Sequence, residues 1–457
     1  MKVMKIGGGC LKDAANFLRV ADVIRSEDEP TIVVVSAISG VTDLLIDAIN
    51  LALESEKNVS SLIEAIRTIH KEIIEESIRN NSLRQQTLMV LESKIQKLMR
   101  LLYGIAYTGE ITDSTRASIV SYGERLSSLT MAGILNSQGI LAEVKEADII
   151  GIVTDSSFDN ATALMPIVKK NLQKSLLPLL NEGYVPVITG YFGCTENGKI
   201  TTFGRNGTDY SAAVVTCALD AQTLDIWKDV DGFMSADPNL VEGVQRIDQL
   251  SFYEAAELSY FGAKILHPRT VEPLVDADIK VYIRNICDPA SPGTEISSNG
   301  YEKKDIIKSV TYNKDIAVLK IHGPGVGYKP GIIGNIGQQL SMIGINIYSV
   351  LTSQTCINLL VDRMDSKKSF DALQKLTGGV IERIVLEDDL ALIAVVGEGL
   401  RKTKGLAAKV FSAVAEKEVN VEMISSGASE VAYYFIVKEI DLEAAIKAIH
   451  STFFMNV

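Results

Sequence analysis

Short, continuous apolar runs recur through residues 1–300, and segments with helical spacing separate them. Val3–Ile6 runs into three glycines. Ile32–Val35 runs into Ser36-Ala-Ile-Ser-Gly40. Val185–Thr189 and Leu224–Trp227 are further runs rich in β-branched residues. Strands apolar on both faces, alternating with helices such as Lys12–Arg25, predict a mostly parallel sheet covered on both sides. The expected class is therefore α/β, a three-layer αβα domain. Residues 60–105 carry helical periodicity, many charges and no glycine before Gly104. They read as a helical excursion, in the plainest case a solvated hairpin.

Asp288–Gly300 (DPASPGTEISSNG) is rich in proline, glycine and serine and marks a domain boundary. Beyond it the pattern repeats. Gly331, Ile336, Leu340, Ile345, Asn346 and Ile347 recur, 74 residues later, as Gly405, Val410, Val414, Val419, Asn420 and Val421. Glycine, amphipathic helix, then a turn into a strand fits an α+β, ferredoxin-like unit, twice over. The expected domains are 1–300, 301–388 and 389–457. The first unit closes with a strand near Val380–Leu386. The second has only Phe453–Val457 left for that strand, so the spare strand Ile306–Thr311 is expected to complete its sheet.

Composition narrows the function. Acidic residues outnumber basic ones 57 to 45, for a net charge of −12. Such a chain is a poor non-specific nucleic-acid binder, because neutralised phosphates drive that binding. Five scattered cysteines without a CxxC pair indicate neither a disulfide framework nor a zinc site, and no metal-ligating set is expected. No apolar run approaches the ~20 residues of a membrane helix, and the N-terminus lacks a signal-peptide core. A cytoplasmic protein without membrane partners is the expectation.

Six motifs could carry chemistry. In Lys5-Ile-Gly-Gly-Gly9, Gly7, Gly8 and Gly9 would let backbone N–H groups approach phosphate, and Lys5 would add charge. In Ser36-Ala-Ile-Ser-Gly-Val-Thr-Asp43, Ser36 and Thr42 stand at a strand edge suited to ligands, although Ser39 or Thr42 would also serve as a helix cap. Glu124 lies in a helix within Ser121-Tyr-Gly-Glu-Arg-Leu126, and fits either an ammonium partner or an ordinary exposed position. Phe203-Gly-Arg-Asn-Gly-Thr-Asp-Tyr-Ser-Ala212 sets Arg205 between glycines, where a guanidinium could fork onto a carboxylate, and Asp209 at a helix start. The fifth motif is Ile226-Trp-Lys-Asp-Val-Asp-Gly-Phe-Met-Ser-Ala-Asp-Pro238. The sixth, Glu257-Leu-Ser-Tyr-Phe-Gly-Ala-Lys-Ile-Leu-His-Pro-Arg-Thr270, puts Lys264 in an apolar stretch where it needs a partner, and His267 before a proline.

In this order the segments resemble the aspartate kinases of the amino acid kinase superfamily, over nearly the whole chain. WKDVDGFMSADP, ELSYFGAKILHPRT and VYIRNICDPASPGTEI are the most specific, and the repeated region resembles tandem ACT domains. The resemblance implies transfer of phosphate from ATP, with Mg²⁺, to the side-chain carboxylate of L-aspartate, the first step of aspartate-family amino acid biosynthesis. It implies that Lys5 contacts the transferring group and that Asp209 orients it. Ser36, Thr42 and Thr208 would lie near the substrate, Glu124 on its ammonium and Arg205 on its α-carboxylate. Gly7, Gly8, Gly9, Lys228, Asp229, Met234 and Lys264 would line the nucleotide site. Gly331, Ile332, Asn346, Ile347, Tyr348, Ser353 and Gln354 would face an amino-acid effector, threonine or lysine.

The chain departs from the family pattern at named places. Where KFGGTS is usual, Cys10 follows the glycines. Where GRGGSD is usual, Asn206 replaces a glycine. Lys228 stands where threonine is usual, and Met234 and Asn239 replace a tyrosine and an arginine. Tyr348 and Gln354 replace acidic effector contacts, which argues against a simple lysine site. A weakly active regulatory homologue and a kinase of another acidic amino acid are the alternatives. ACT units usually close symmetrically, so a homodimer or larger even assembly is expected.

Overall fold

The computed structural model describes residues 1–263, 265–266, 268–298 and 306–455. They form two compact units. One comprises Met1–Phe233, Arg246–Ala256 and Ile265–Gly300. The other comprises Met234–Gln245, Glu257–Lys264 and Tyr301–Val457.

The first unit is built on an eight-stranded sheet. Its order is Ala142–Lys145, Val185–Thr189, Thr31–Val35, Lys2–Ile6, Thr223–Lys228, Lys280–Asn285, Thr294–Ser297 and Gln249–Ser251. The first six strands run parallel, and only the Lys280–Asn285 and Thr294–Ser297 pair is antiparallel. The central strand Lys2–Ile6 is buried from Val3 onward, as its unbroken apolar pattern requires. Helices Ala14–Arg25, Val41–Glu54 and Tyr122–Ser137 bury Phe17, Leu45 and Leu126 in its main core. The helical excursion is part of that core. Helices Val59–Ser77 and Asn81–Thr108 bury Ile63, Ile66, Leu91, Ile95 and Leu98 there. The sequence pattern of charges marks only their outer faces.

The second unit holds two four-stranded antiparallel sheets. The first is ordered Ser349–Thr352, Cys356–Asp362, Ile316–His322, Arg383–Glu387, with helices Ile332–Met342 and Ser366–Gln374 between its strands. The second is ordered Met423–Ser425, Ala432–Lys438, Leu390–Val396, Ser309–Asn313, with helices Leu406–Ala415 and Leu442–Phe454. The two sheets have the same plan, and Ser309–Asn313 occupies the fourth place of the second. Phe453 and Phe454 end the last helix, whose face of Leu442, Ala445, Ile446 and Ile449 stays buried. The repeat is visible in geometry. Gly331 (φ 87°) and Gly405 (φ 80°) cap equivalent helices in the left-handed conformation glycine favours. The matched apolar positions, from Ile336 and Val410 to Ile345 and Val419, are buried.

Candidate active site

The first unit's sheet places a cleft at the carboxyl ends of Lys2–Ile6 and Thr223–Lys228, where open α/β sheets take ligands. The cavity measures about 230 Å³. Lys5, the three glycines, Ser36, Asn206, Thr208, Asp209, Lys228 and Asp229 line it.

Lys5 is 5% exposed, a position where a bare ammonium would be unstable without a partner. Asp209 supplies one. Its Oδ1 is 2.6 Å from Lys5 Nζ, and its Oδ2 is 3.6 Å from Lys228 Nζ. Burial would raise the Asp209 pKa, but the two lysines overcome it and hold the carboxyl below its usual range. Burial also pulls Lys228 below the ordinary lysine value despite Asp209. Asp209 lies in the first turn of helix Gly207–Ala218, so the helix N-terminus adds to the field that keeps it charged.

The glycines pack closely on their neighbours. A Cβ on Gly9 would stand 2.7 Å from Asp229 Oδ2, and one on Gly8 3.1 Å from the Ala37 carbonyl oxygen. Lys12 donates to Asp229 at 3.0 Å and holds its carboxyl below the usual range. Cys10 is fully buried and belongs to the main core. Burial pushes its thiol up to about 12, so it stands as a neutral packing group beside the loop.

Glu124 is buried at 3% exposure, so the ordinary exposed-helix reading does not hold. Gly123 allows this. Its Cα approaches Ala37 so closely that a Cβ would lie 2.7 Å from the Ala37 Cβ, and Thr42 Oγ1 lies on the same side at 3.7 Å. Glu124 Oε1 then accepts the Ala37 N–H at 3.0 Å, while Oε2 has no hydrogen-bond partner among the described residues. Burial pushes Glu124 up to about 8, against the pull of that N–H and of Lys5. A buried carboxylate oxygen without a donor is suited to an incoming cation. Neither Ser39 nor Thr42 caps the helix Val41–Glu54. Gly40, at φ 83°, starts it without a side-chain bond.

Arg205 is exposed, next to the cleft-lining Asn206. Asn206 has φ 56°, a left-handed conformation that asparagine tolerates better than most residues. The chain thus keeps, without glycine, a backbone that glycine usually supplies. Glu124, Thr42, Arg205 and Met234 are not among the lining residues. Met234 falls in the second unit, where Ser309 Oγ donates to its carbonyl at 2.8 Å, and Asn239 is in the same segment. Lys264 and His267 lie outside the described residues.

One residue of the site escaped the motif reading. Tyr191 takes φ 72°, an outlier for an aromatic side chain. Its pKa is raised by burial and by the nearby Glu124. Gly190 before it lets the Thr208 side chain approach. The signal was a strand ending Thr-Gly-Tyr, with glycine and aromatic at the edge of the sheet.

The effector candidates lie in the second unit, at the start of helix Ile332–Met342 and in the loops on either side of strand Ser349–Thr352. Ile332 and Ile347 pack on its core, and Asn346, Ser353 and Gln354 are exposed. Gln354 accepts the Gly327 N–H at 3.4 Å, which brings the loop before Gly331 beside the Ser353–Gln354 turn. Tyr348 donates its N–H to Leu360 at 2.8 Å and its hydroxyl to Asp362 at 3.4 Å.

The model of the amino acid kinase family matches residues 1–285, and that of the ACT domain matches residues 393–453. The chain belongs to the amino acid kinase family. Its similarity runs through the aspartokinases of that family. It is 33% identical to chloroplastic aspartokinase 2 of Arabidopsis thaliana, over 99% of this chain and 84% of that one. It is 31% identical to lysine-sensitive aspartokinase 3 of Escherichia coli, over 99% of both. It is 30% identical to the bifunctional aspartokinase/homoserine dehydrogenase of Buchnera aphidicola, of which it spans 57%. Among solved structures, Escherichia coli aspartokinase III in complex with aspartate and ADP superposes with a TM-score of 0.83 at 29% identity, covering 99% of this chain and all of the other. The aspartokinase fold thus accounts for both units, and no helix of the described residues is long and apolar enough to cross a membrane.

Proposed function

We propose that this chain is an aspartate kinase, transferring the γ-phosphoryl group of ATP to the side-chain carboxylate of L-aspartate and releasing 4-phospho-L-aspartate. The observation that carries the reading is the pair of lysines, Lys5 and Lys228, sharing one buried carboxylate in a glycine-walled cleft. A side-chain carboxylate with a pKa of ~3.9 is already ionised at neutral pH, so no general base is needed. What the reaction needs is alignment and neutralisation of phosphate charge.

In this reading Lys5 contacts the transferring phosphoryl group and Asp209 fixes its ammonium. Backbone N–H groups of Gly8 and Gly9, with Lys228, hold the nucleotide phosphates; Gly7, whose N–H is given to the Trp227 carbonyl, and Asp229 line that site. Glu124 Oε2 takes the substrate ammonium, Arg205 takes its α-carboxylate, and Ser36, Thr42 and Thr208 border the acceptor. No group of three or more carboxylate, histidine or cysteine ligands occurs among the described residues. Mg²⁺, which the resemblance implies, keeps most of its waters and binds largely through substrate phosphates. The ion supplies further charge neutralisation when bound, with Asp229 the nearest exposed carboxylate on the cleft.

The relative known to be lysine-sensitive supports an amino-acid effector on the ACT units, and the uncharged Tyr348 and Gln354 favour one other than lysine. A cytoplasmic homodimer or larger even assembly completes the proposal.

The test is Mg·ATP-dependent trapping of acyl phosphate by hydroxylamine, comparing L-aspartate with L-glutamate. Hydroxamate with aspartate alone, lost in Lys5→Ala, is the expected result. Its absence with every acidic amino acid would overturn the reading in favour of a regulatory homologue.

A further inference from the structure

Arg269 belongs to the HPRT end of the sixth motif, and nothing in the reaction as described uses it. Its guanidinium nevertheless joins two loops that are more than forty positions apart in sequence. On one side it donates to Asn160 Oδ1, to the Ala161 carbonyl and, at 3.0 Å, to Thr162 Oγ1. On the other it donates to the Phe203 carbonyl at 3.3 Å. Its Cζ lies over the Tyr210 ring, 4.6 Å from the centroid. Tyr210 in turn accepts the Ala163 N–H at 3.3 Å.

The loop so held is the one that carries Arg205. Between Phe203 and Gly207 two residues, Gly204 (φ 77°) and Asn206 (φ 56°), take left-handed conformations, so the backbone there is not set by helix or sheet. Gly204 packs so tightly on the 159–160 backbone that a Cβ would lie 2.9 Å from the Asp159 carbonyl oxygen. Arg269 therefore binds the residue before Gly204 to the wall behind it. A planar fork with five donors can serve four acceptors and a ring at once, which a lysine cannot.

We infer that Arg269 is a positioning residue for the amino acid substrate. It straps residues 160–162 to Phe203 and Tyr210 and so holds Arg205 where a substrate carboxylate can meet it. This rests on the proposed role of Arg205.

The test uses the full-length chain with Arg269→Gln and Arg269→Lys, beside Arg205→Ala. Amide hydrogen exchange is measured first, because it reads the strap whether or not the enzyme turns over. Faster exchange in 159–163 and 203–207 of Arg269→Gln, with the strand Lys2–Ile6 unchanged, is expected. Unchanged exchange in both loops would overturn the strap, and faster exchange everywhere would reduce it to a general stability role. Kinetics come second. The expected change in Arg269→Gln is a KM for aspartate raised by about ten- to a hundredfold, the scale of a misplaced binding group, with the KM for ATP unchanged. Arg269→Lys should recover part of that loss. In the Arg205→Ala background the same Arg269→Gln change should add little, since the group it positions is gone. A raised KM in Arg205→Ala with no change in Arg269→Gln overturns the inference alone. An unaffected Arg205→Ala enzyme overturns the role of Arg205 and the inference with it.

Discussion

Lys5 and Lys228 hold opposite oxygens of the Asp209 carboxylate, at 2.6 and 3.6 Å. The contacts are unequal, and their consequences should be unequal too. Lys5→Ala removes the closer cation and should lower kcat by about 10²–10³-fold, the usual effect of losing one preorganised charge at a transferring group. Lys228→Thr should raise the KM for ATP about tenfold, or about 1.4 kcal/mol, and leave the KM for aspartate unchanged. Steady-state hydroxamate assays on the two variants check both.

Glu124 offers a pH test. Its folded pKa, about 8, lies above its ordinary 4.5 because burial disfavours the charge. The folded state therefore binds more protons than the unfolded state between those values, and this residue's penalty grows as pH rises from about 4.5 to about 8. Glu124→Gln removes the penalty. The variant should melt at a higher temperature than the parent at pH 8, with the gap closing toward pH 4.5, while its affinity for aspartate falls.

The same residue predicts proton release. An ammonium placed against Glu124 Oε2 favours the carboxylate form, so aspartate binding at pH 7 should free up to one proton. Calorimetry in buffers of different ionisation enthalpy measures it directly. A proton count of zero would remove Glu124 from the ammonium site.

Two backbone positions give stability predictions. Asn206→Ala should destabilise by about 1 kcal/mol, since alanine lacks asparagine's tolerance of the left-handed region, while Asn206→Gly should be close to neutral. Gly262, at φ 147°, is far less forgiving, because a Cβ there would overlap the carbonyl oxygen of Tyr312. Gly262→Ala should cost more than about 2 kcal/mol, seen as an earlier urea transition of the second unit.

Much of this fold was legible in the sequence because its strands are buried on both faces and its repeat is regular. The Gly331 and Gly405 helices could be read from glycine and apolar spacing alone. Lys5 and Asp209 stood out as charged residues beside glycines, whereas Lys228 entered only through the resemblance to the aspartate kinases. The burial of Glu124 was not. It depends on Gly123 meeting Ala37, a contact between residues far apart in the chain. Tyr191 was missed for the same reason, since its backbone angle is set by packing around Gly190 and Thr208. Cys10 stood out only as a departure from the usual KFGGTS, and its place in the core is set by tertiary packing.

The division of the chain has a topological consequence. The polypeptide passes between the two units five times, after residues 233, 245, 256, 264 and 300. No single cut can separate them as free modules. A chain ending at residue 300 would keep Ser235 and Asp237 but lose His450 and Tyr312, to which they hydrogen-bond, and would expose Ala236 and Val241 from the core they share with the second sheet. The two units are laced rather than linked. The first crossing lies only five residues beyond Lys228.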